Sequence, residues 1–170
     1  MVYDLLAAIK RRLGDELGRL ALRVPTGKGA DFRAPVVKIA QSVKEQPDKA
    51  ETPGVIVVPV KAELATDGQA RITVALVCQA YTPEAEQEAG VNEVSNLAAA
   101  ARSALMAANP LRKRYQMQPE ATLFHDLDTL HPYYRAELAT TWLAPGLSID
   151  APSEDMLRIF GAGTPDDKEG

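Results

Sequence analysis

The stretch from residue 55 to residue 81 constrains the fold more than any other part of the chain. Residues 55–60 form its most apolar short run, and residues 71–81 alternate. Ile72, Val74, Leu76 and Cys78 share one side of that second segment, with Arg71, Thr73 and Gln79 on the other, the period of two that a strand with one buried face requires. Asp67-Gly68 between them is a turn signal. The two segments therefore read as an antiparallel hairpin of 55–63 and 70–81. Pro59 has no N–H to give to a ladder, so it predicts an edge, a bulge or a strand end at that point.

Two helical patterns bracket this hairpin. Val2, Leu5, Leu6, Ile9, Leu13, Leu17 and Leu20 recur at three- and four-residue steps, with Arg11, Arg12, Asp15, Glu16 and Arg19 mainly opposite. The pattern fades near Leu22, and Pro25, Gly27 and Gly29 end it. The second stripe is Val94, Leu97, Ala98, Ala101, Leu105 and Ala108, dense in alanine, which favours helix and allows close packing. Thr82-Pro83 or Gly90 with Asn92 as cap could start it, and Asn109-Pro110 stops it.

The remaining segments read as follows. Residues 36–43 are a strand rich in β-branched side chains, and the polar residues 44–52, closed by Pro53-Gly54, are a loop. Residues 115–127 are a strand, 126–132 a turn, and 134–143 the last strand, with Tyr134, Ala136, Leu138, Thr140 and Trp142 on one face. From about Ser148 the chain is acidic and holds an apolar cluster of Met156, Leu157, Ile159 and Phe160, a pattern suited to docking and not to folding alone. This order implies an α+β fold, a small, mostly antiparallel sheet with two main helices packed on one face. Residues 1–147 form a single domain in this reading, and 148–170 an extended acidic tail, flexible or docked on a neighbour.

Composition narrows the function classes. The 170 residues are enough for a core without disulfides or metals, and 46% are hydrophobic. No apolar run approaches the ~20 residues of a membrane span. The N-terminus lacks signal-peptide order, because Lys10, Arg11 and Arg12 follow the apolar stretch. The formal net charge of −4 excludes the chain as a whole from being an electrostatic nucleic-acid binder.

Candidate chemistry is sparse. Cys78 is the one cysteine and falls on the apolar side of a strand, where a buried inert thiol is the expectation. His125, Asp126, Asp128 and His131 are the only cluster of metal-type ligands, in a spacing that matches no defined site. Gly27-Lys28-Gly29 lacks the upstream glycine and following Ser or Thr of a phosphate loop. Lys10-Arg11-Arg12 and Arg112-Lys113-Arg114 have no interleaved aromatics and read as solvated or ion-pairing faces. No catalytic residue, cofactor or metal is expected, and the chain reads as one that works by fitting against other subunits.

A family resemblance gives that reading content. It rests on Pro53 leading an apolar strand to Val60, on 71–81 ending in Tyr81, and on Gly90-Val91-Asn92 before the alanine-rich stripe. Asn109-Pro110-Leu111 and Arg114-Tyr115 continue it, and His131-Pro132-Tyr133-Tyr134 with Glu137, Thr140, Thr141-Trp142 and Pro145 matches most closely. In these features the chain resembles phage tail terminator proteins, also called tail completion proteins, of long-tailed bacteriophages. The loop 44–52 and the tail after 148 depart from that pattern.

The resemblance implies a non-enzymatic virion structural protein at the tail–neck junction, assembled in the host cytoplasm with no membrane involvement. Identical subunits would form a homo-oligomeric ring, typically a hexamer, that caps the major tail tube protein, stops its polymerisation and presents a joining surface to the head-side connector. Genomic DNA would pass through the lumen without sequence-specific binding. A cyclic ring needs two different patches per subunit. The interface residues expected are Val55, Val57, Arg112, Arg114, Tyr133, Leu157 and Phe160. The alternatives are another head–tail connector or neck protein, or a small metal-dependent nuclease using Asp126, Asp128 and the histidines.

Overall fold

The hairpin forms the centre of the protein. A computed structural model describes residues 2–25, 31–64, 67–83 and 87–145. In chain order the elements are α1 (Val2–Leu17), β1 (Leu22–Arg23), β2 (Phe32–Arg33), β3 (Val36–Ile39), β4 (Gly54–Leu64), β5 (Ala70–Tyr81), α2 (Gln87–Ala107), β6 (Gln116–Met117), β7 (Thr122–His125) and β8 (Tyr133–Ala144). β1 and β2 make a small separate pair. The main sheet runs β3-β4-β5-β8-β6, with β7 further along the same side of β8 as β6.

β5 pairs with β8 along its whole length, from Ala70↔Ala144 to Tyr81↔Tyr133. The register between β4 and β5 shifts between Pro59 and Lys61, so the proline without an N–H sits at a bulge. The fold is α+β with a mixed sheet, because β3 pairs parallel to β4, Val36↔Gly54 to Ile39↔Val57. The strand expected over 36–43 stops at Ile39.

Parallel neighbours need a long connection, and residues 40–53 supply it. A 3-10 turn at Lys49–Glu51 is capped by the Asp48 side chain, which accepts from Ala50 N. Lys44 and Lys38 pair with Asp48 and Glu51. Asp48 is held below the usual carboxylate range by the Lys44 ammonium and the Ala50 N–H.

Both main helices cover one face of the sheet, α1 over β3 and β4, α2 over β5 and β8. Leu5, Leu6, Ile9, Leu13 and Leu17 of α1 meet Val94, Leu97, Ala98, Ala101 and Leu105 of α2 and the inward residues of the strands in one core. Arg12 Nε donates to Ala104 O across the helix pair at 3.0 Å. Asn92 is exposed inside α2, so it does not cap the helix. Gly90 is explained by contact: a Cβ there would lie 2.1 Å from Tyr134 Cε2.

Trp142 is fully buried, and its indole N–H needs a partner. Nε1 donates to Thr140 Oγ1 at 2.9 Å, and that hydroxyl donates to Val74 O at 2.7 Å. The Thr-x-Trp spacing thus carries a chain of two hydrogen bonds from the indole through the hydroxyl to the neighbouring strand.

Residues 115–127 do not make one strand: β6 and β7 are separate, with Pro119 between them, which can neither donate to a ladder nor continue it. The sheet face opposite the helices is covered in part. Gln79 is completely buried, and Ile56 and Val77 are nearly so, on that face. The 40–53 connection packs there through Arg135, whose Nη1 donates to Glu45 O at 3.0 Å and whose Nη2 donates to Gln79 Oε1 at 2.8 Å.

Candidate assembly surfaces

The side chains singled out from sequence fall in four places. Val55 and Val57 do not present an edge. Both are fully buried under the helices, and their half of β4 is flanked by β3 and β5. The most apolar run is a core strand, and apolarity alone did not distinguish core from contact surface. Leu157 and Phe160 lie outside the described residues.

Tyr133 is half-buried and edge-on to Tyr81, ring centroids 5.5 Å apart. Burial, then Tyr81 and Asp48 nearby, push its phenol upward. It belongs to a knot at one end of the sheet. There Thr82 N donates to Pro132 O, Tyr133 N to Leu130 O, and His131 Nδ1 lies 2.9 Å from Tyr134 Oη. His131-Pro132 is a cis bond, as are Thr52-Pro53 and Asn109-Pro110.

Arg112 and Arg114 sit on a tight turn that closes an α2-to-β6 link. Leu111 N donates to Tyr115 O at 2.8 Å, and Arg114 N donates to Leu111 O at 3.1 Å. The central residues Arg112 and Lys113 have φ of 53° and 55°. This is the type I′ arrangement that Asn-Gly adopts without strain and that two long basic residues do not. Arg112 pairs with Asp4 of α1, and the Arg114 guanidinium lies 5.5 Å from the Tyr115 ring centroid. Tyr115 is buried, and its hydroxyl donates to Asp4 Oδ2 at 2.7 Å; desolvation, then this bond, raise its phenol to about 12. Asn109 holds the other side of the link, its amide bonding both N and O of Met117.

The four metal-type residues are dispersed by other bonds. Asp126 accepts from Asp128 N at 2.9 Å and faces Arg135 at 3.5 Å, while His131 is engaged by Tyr134. Among the described residues, no group of three or more His, Cys, Asp or Glu side chains is placed to hold a metal ion. Cys78 is fully buried, and desolvation pushes its thiol up to about 12, which removes the thiolate a nucleophile would need.

Sequence reasoning missed the exposed apolar residues. On β7 and the turn after it, Phe124, Leu127 and Leu130 are 57%, 92% and 68% exposed. Phe124 borders a cleft with Val43 and Val77. Across the sheet, β4 runs past the end of β3, and there Val60 and Leu64 are 55% and 62% exposed. Only Leu127 and Leu130, lodged in an otherwise polar turn, carried a sequence signal. Recognising the β4 arm needs the length of β3. Among the described residues, β7 and the arm of β4 beyond Val57 each pair on one side only.

No protein-family model matches the chain, and no curated protein matches it significantly. Among the described residues, no helix is long and apolar enough to cross a membrane.

Proposed function

We propose that this protein is a phage tail terminator: a ring of identical subunits that caps the tail tube, halts its growth and offers the head-side connector a surface to join. The observation that carries the reading is the pair of unlike apolar patches on opposite edges of one sheet. Phe124, Leu127 and Leu130 mark one edge, Val60 and Leu64 the other. A rotationally closed ring is built from two different complementary patches per subunit. Exposed strand edges bearing large apolar side chains are otherwise an aggregation hazard. The matched residues of the family resemblance support the same reading, since several have structural tasks here. Thr140 and Trp142 share the buried hydrogen-bond chain, Gly90 gives Tyr134 room, and Asn109 clamps Met117.

In this role the protein does no chemistry, and its partners are itself, the tube protein, the connector and DNA passing through the lumen. The test is tube growth. Purified tube protein of the same phage or prophage is polymerised with and without stoichiometric amounts of this chain, and length is scored by electron microscopy. Short, capped tubes are expected. Unchanged tube lengths, together with capture of a portal-side adaptor in a pull-down, would move the protein to another position in the neck.

A further inference from the structure

The basic turn and α1 enclose an open groove of about 400 Å³ whose lining includes Ala7, Ala8 and Leu111 with Arg11, Arg12 and Arg112. Asp15 is the one carboxylate among its lining residues. Arg12 is committed to Glu16 and to Ala104 O, and Arg112 to Asp4. Arg11 is exposed and has no ion-pair partner among the described residues. The groove therefore has an apolar floor and unspent positive charge at its rim.

We infer that this groove is the docking site for the chain's own acidic segment, residues 154–160. Three observations on separate levels point to it. The first is charge. Residues 146–170 carry six carboxylates against two basic side chains, and Glu154-Asp155 immediately precede an apolar cluster of Met156, Leu157, Ile159 and Phe160 that Arg158 interrupts, which leaves residues 154–160 with a net charge of −1. That gives the apolar-plus-acidic counterpart of the groove. The second is the exit point. β8 pairs with β6 as Gln116↔Leu143 and Met117↔Trp142, so one step further on, at Tyr115 and Ala144, the chain leaves the sheet beside the basic turn. From Pro145 to Glu154 an extended chain spans up to about 30 Å, and the α1 side of the groove, Ala7 to Asp15, is only about 12 Å long. The third is the turn itself. Arg112 and Lys113 hold a left-handed conformation that costs stability and that Asn-Gly would relieve, which is intelligible if their charges are used, that of Arg112 at the groove rim, against Asp4, and that of Lys113 next to it in the chain.

The exposed patch at Phe124, Leu127 and Leu130 is a second apolar surface, and the Val60 and Leu64 edge of β4 a third. Asp126 and Asp128 lie within the Phe124 patch, and like charge disfavours it as a seat for Glu154-Asp155. The proximity of the exit to the groove places the segment on its own subunit and not on a neighbour. This inference stands whether or not the protein caps a tube.

Photo-crosslinking of the full chain tests it. Cys78 is buried with a raised thiol pKa, so an Ala162→Cys variant takes a benzophenone maleimide at the new position alone. Irradiated and digested, it should crosslink to peptides containing Ala7–Arg12 or Leu111–Tyr115 at least fivefold more often than to the peptide containing Phe124. Mixing the labelled variant with unlabelled, 15N-enriched chain should leave those crosslinks within the light isotope. Adding Arg112→Asn with Lys113→Gly, which relieves the turn, should cut the groove crosslinks severalfold while the fold is retained. No enrichment at the groove, crosslinks that pass to the heavy isotope, or crosslinks indifferent to the turn substitutions would each overturn the inference.

Discussion

At the residue scale, four positions make quantitative demands: Gly90, the Arg112-Lys113 turn, Cys78 and Tyr115. Gly90 gives way to the Tyr134 ring, so Gly90→Ala sets a helix-propensity gain of up to about 1 kcal/mol against overpacking of roughly 1–3 kcal/mol. The ring is partly exposed and cannot move without losing His131. A net loss of about 1–2 kcal/mol is expected in chemical denaturation, with a favourable coupling when Tyr134→Ala is added in a double-mutant cycle. Arg112→Asn with Lys113→Gly should raise stability by about 1 kcal/mol, because both positions need positive φ. Alkaline behaviour follows from Cys78 and Tyr115. Both are held protonated in the folded state, at about 12 against 9.0 and 10.0. The unfolded chain therefore binds fewer protons once pH passes 9, and stability is full below 9 and falls as pH rises towards 12. The urea midpoint should begin to drop above pH 9, and Cys78→Ala should delay that drop towards pH 10, where Tyr115 takes over.

At the element scale, the 40–53 connection and β8 are tied by one buried guanidinium. Arg135 is 6% exposed and bonds Gln79, Glu45 O and Asp126. Arg135→Leu removes the charge but leaves Gln79 Oε1 buried without its donor, a loss of about 2–4 kcal/mol. Hydrogen exchange should rise across residues 41–48 and leave α1 unchanged. This contact also shows why part of the fold was legible in sequence and part was not. Period-two alternation in 71–81, the Asp67-Gly68 turn and the stripes of α1 and α2 are local signals, and the elements follow them. The parallel seat of β3, the cover over Gln79 and the burial of Val55 and Val57 depend on long-range placement of a polar loop, which no local period records. Of the surfaces, only the basic turn was singled out beforehand; the exposed Leu127 and Leu130 lay in a segment read simply as a polar turn.

At the scale of the whole molecule, one sheet separates two unlike exposed apolar patches, and the helices occupy one face between them. A specific interface takes about 800 Å² per partner. In the proposed ring, exposed Phe124, Leu127 and Leu130 on one edge and Val60 and Leu64 on the other would supply the apolar centres of two such interfaces. Ring closure through unlike patches is the central claim, and native mass spectrometry of complementary variants tests it most directly. Phe124→Asp with Leu127→Asp disables one edge, and Leu64→Asp the other; all three side chains are exposed, so folding should be unaffected. Alone or with tube protein, each variant should be monomeric where the unsubstituted chain forms a ring. An equimolar mixture should yield a heterodimer and nothing larger, because one good pair of patches survives. Rings formed by either variant alone, or an unsubstituted chain that stays monomeric even with tube protein, would contradict the account.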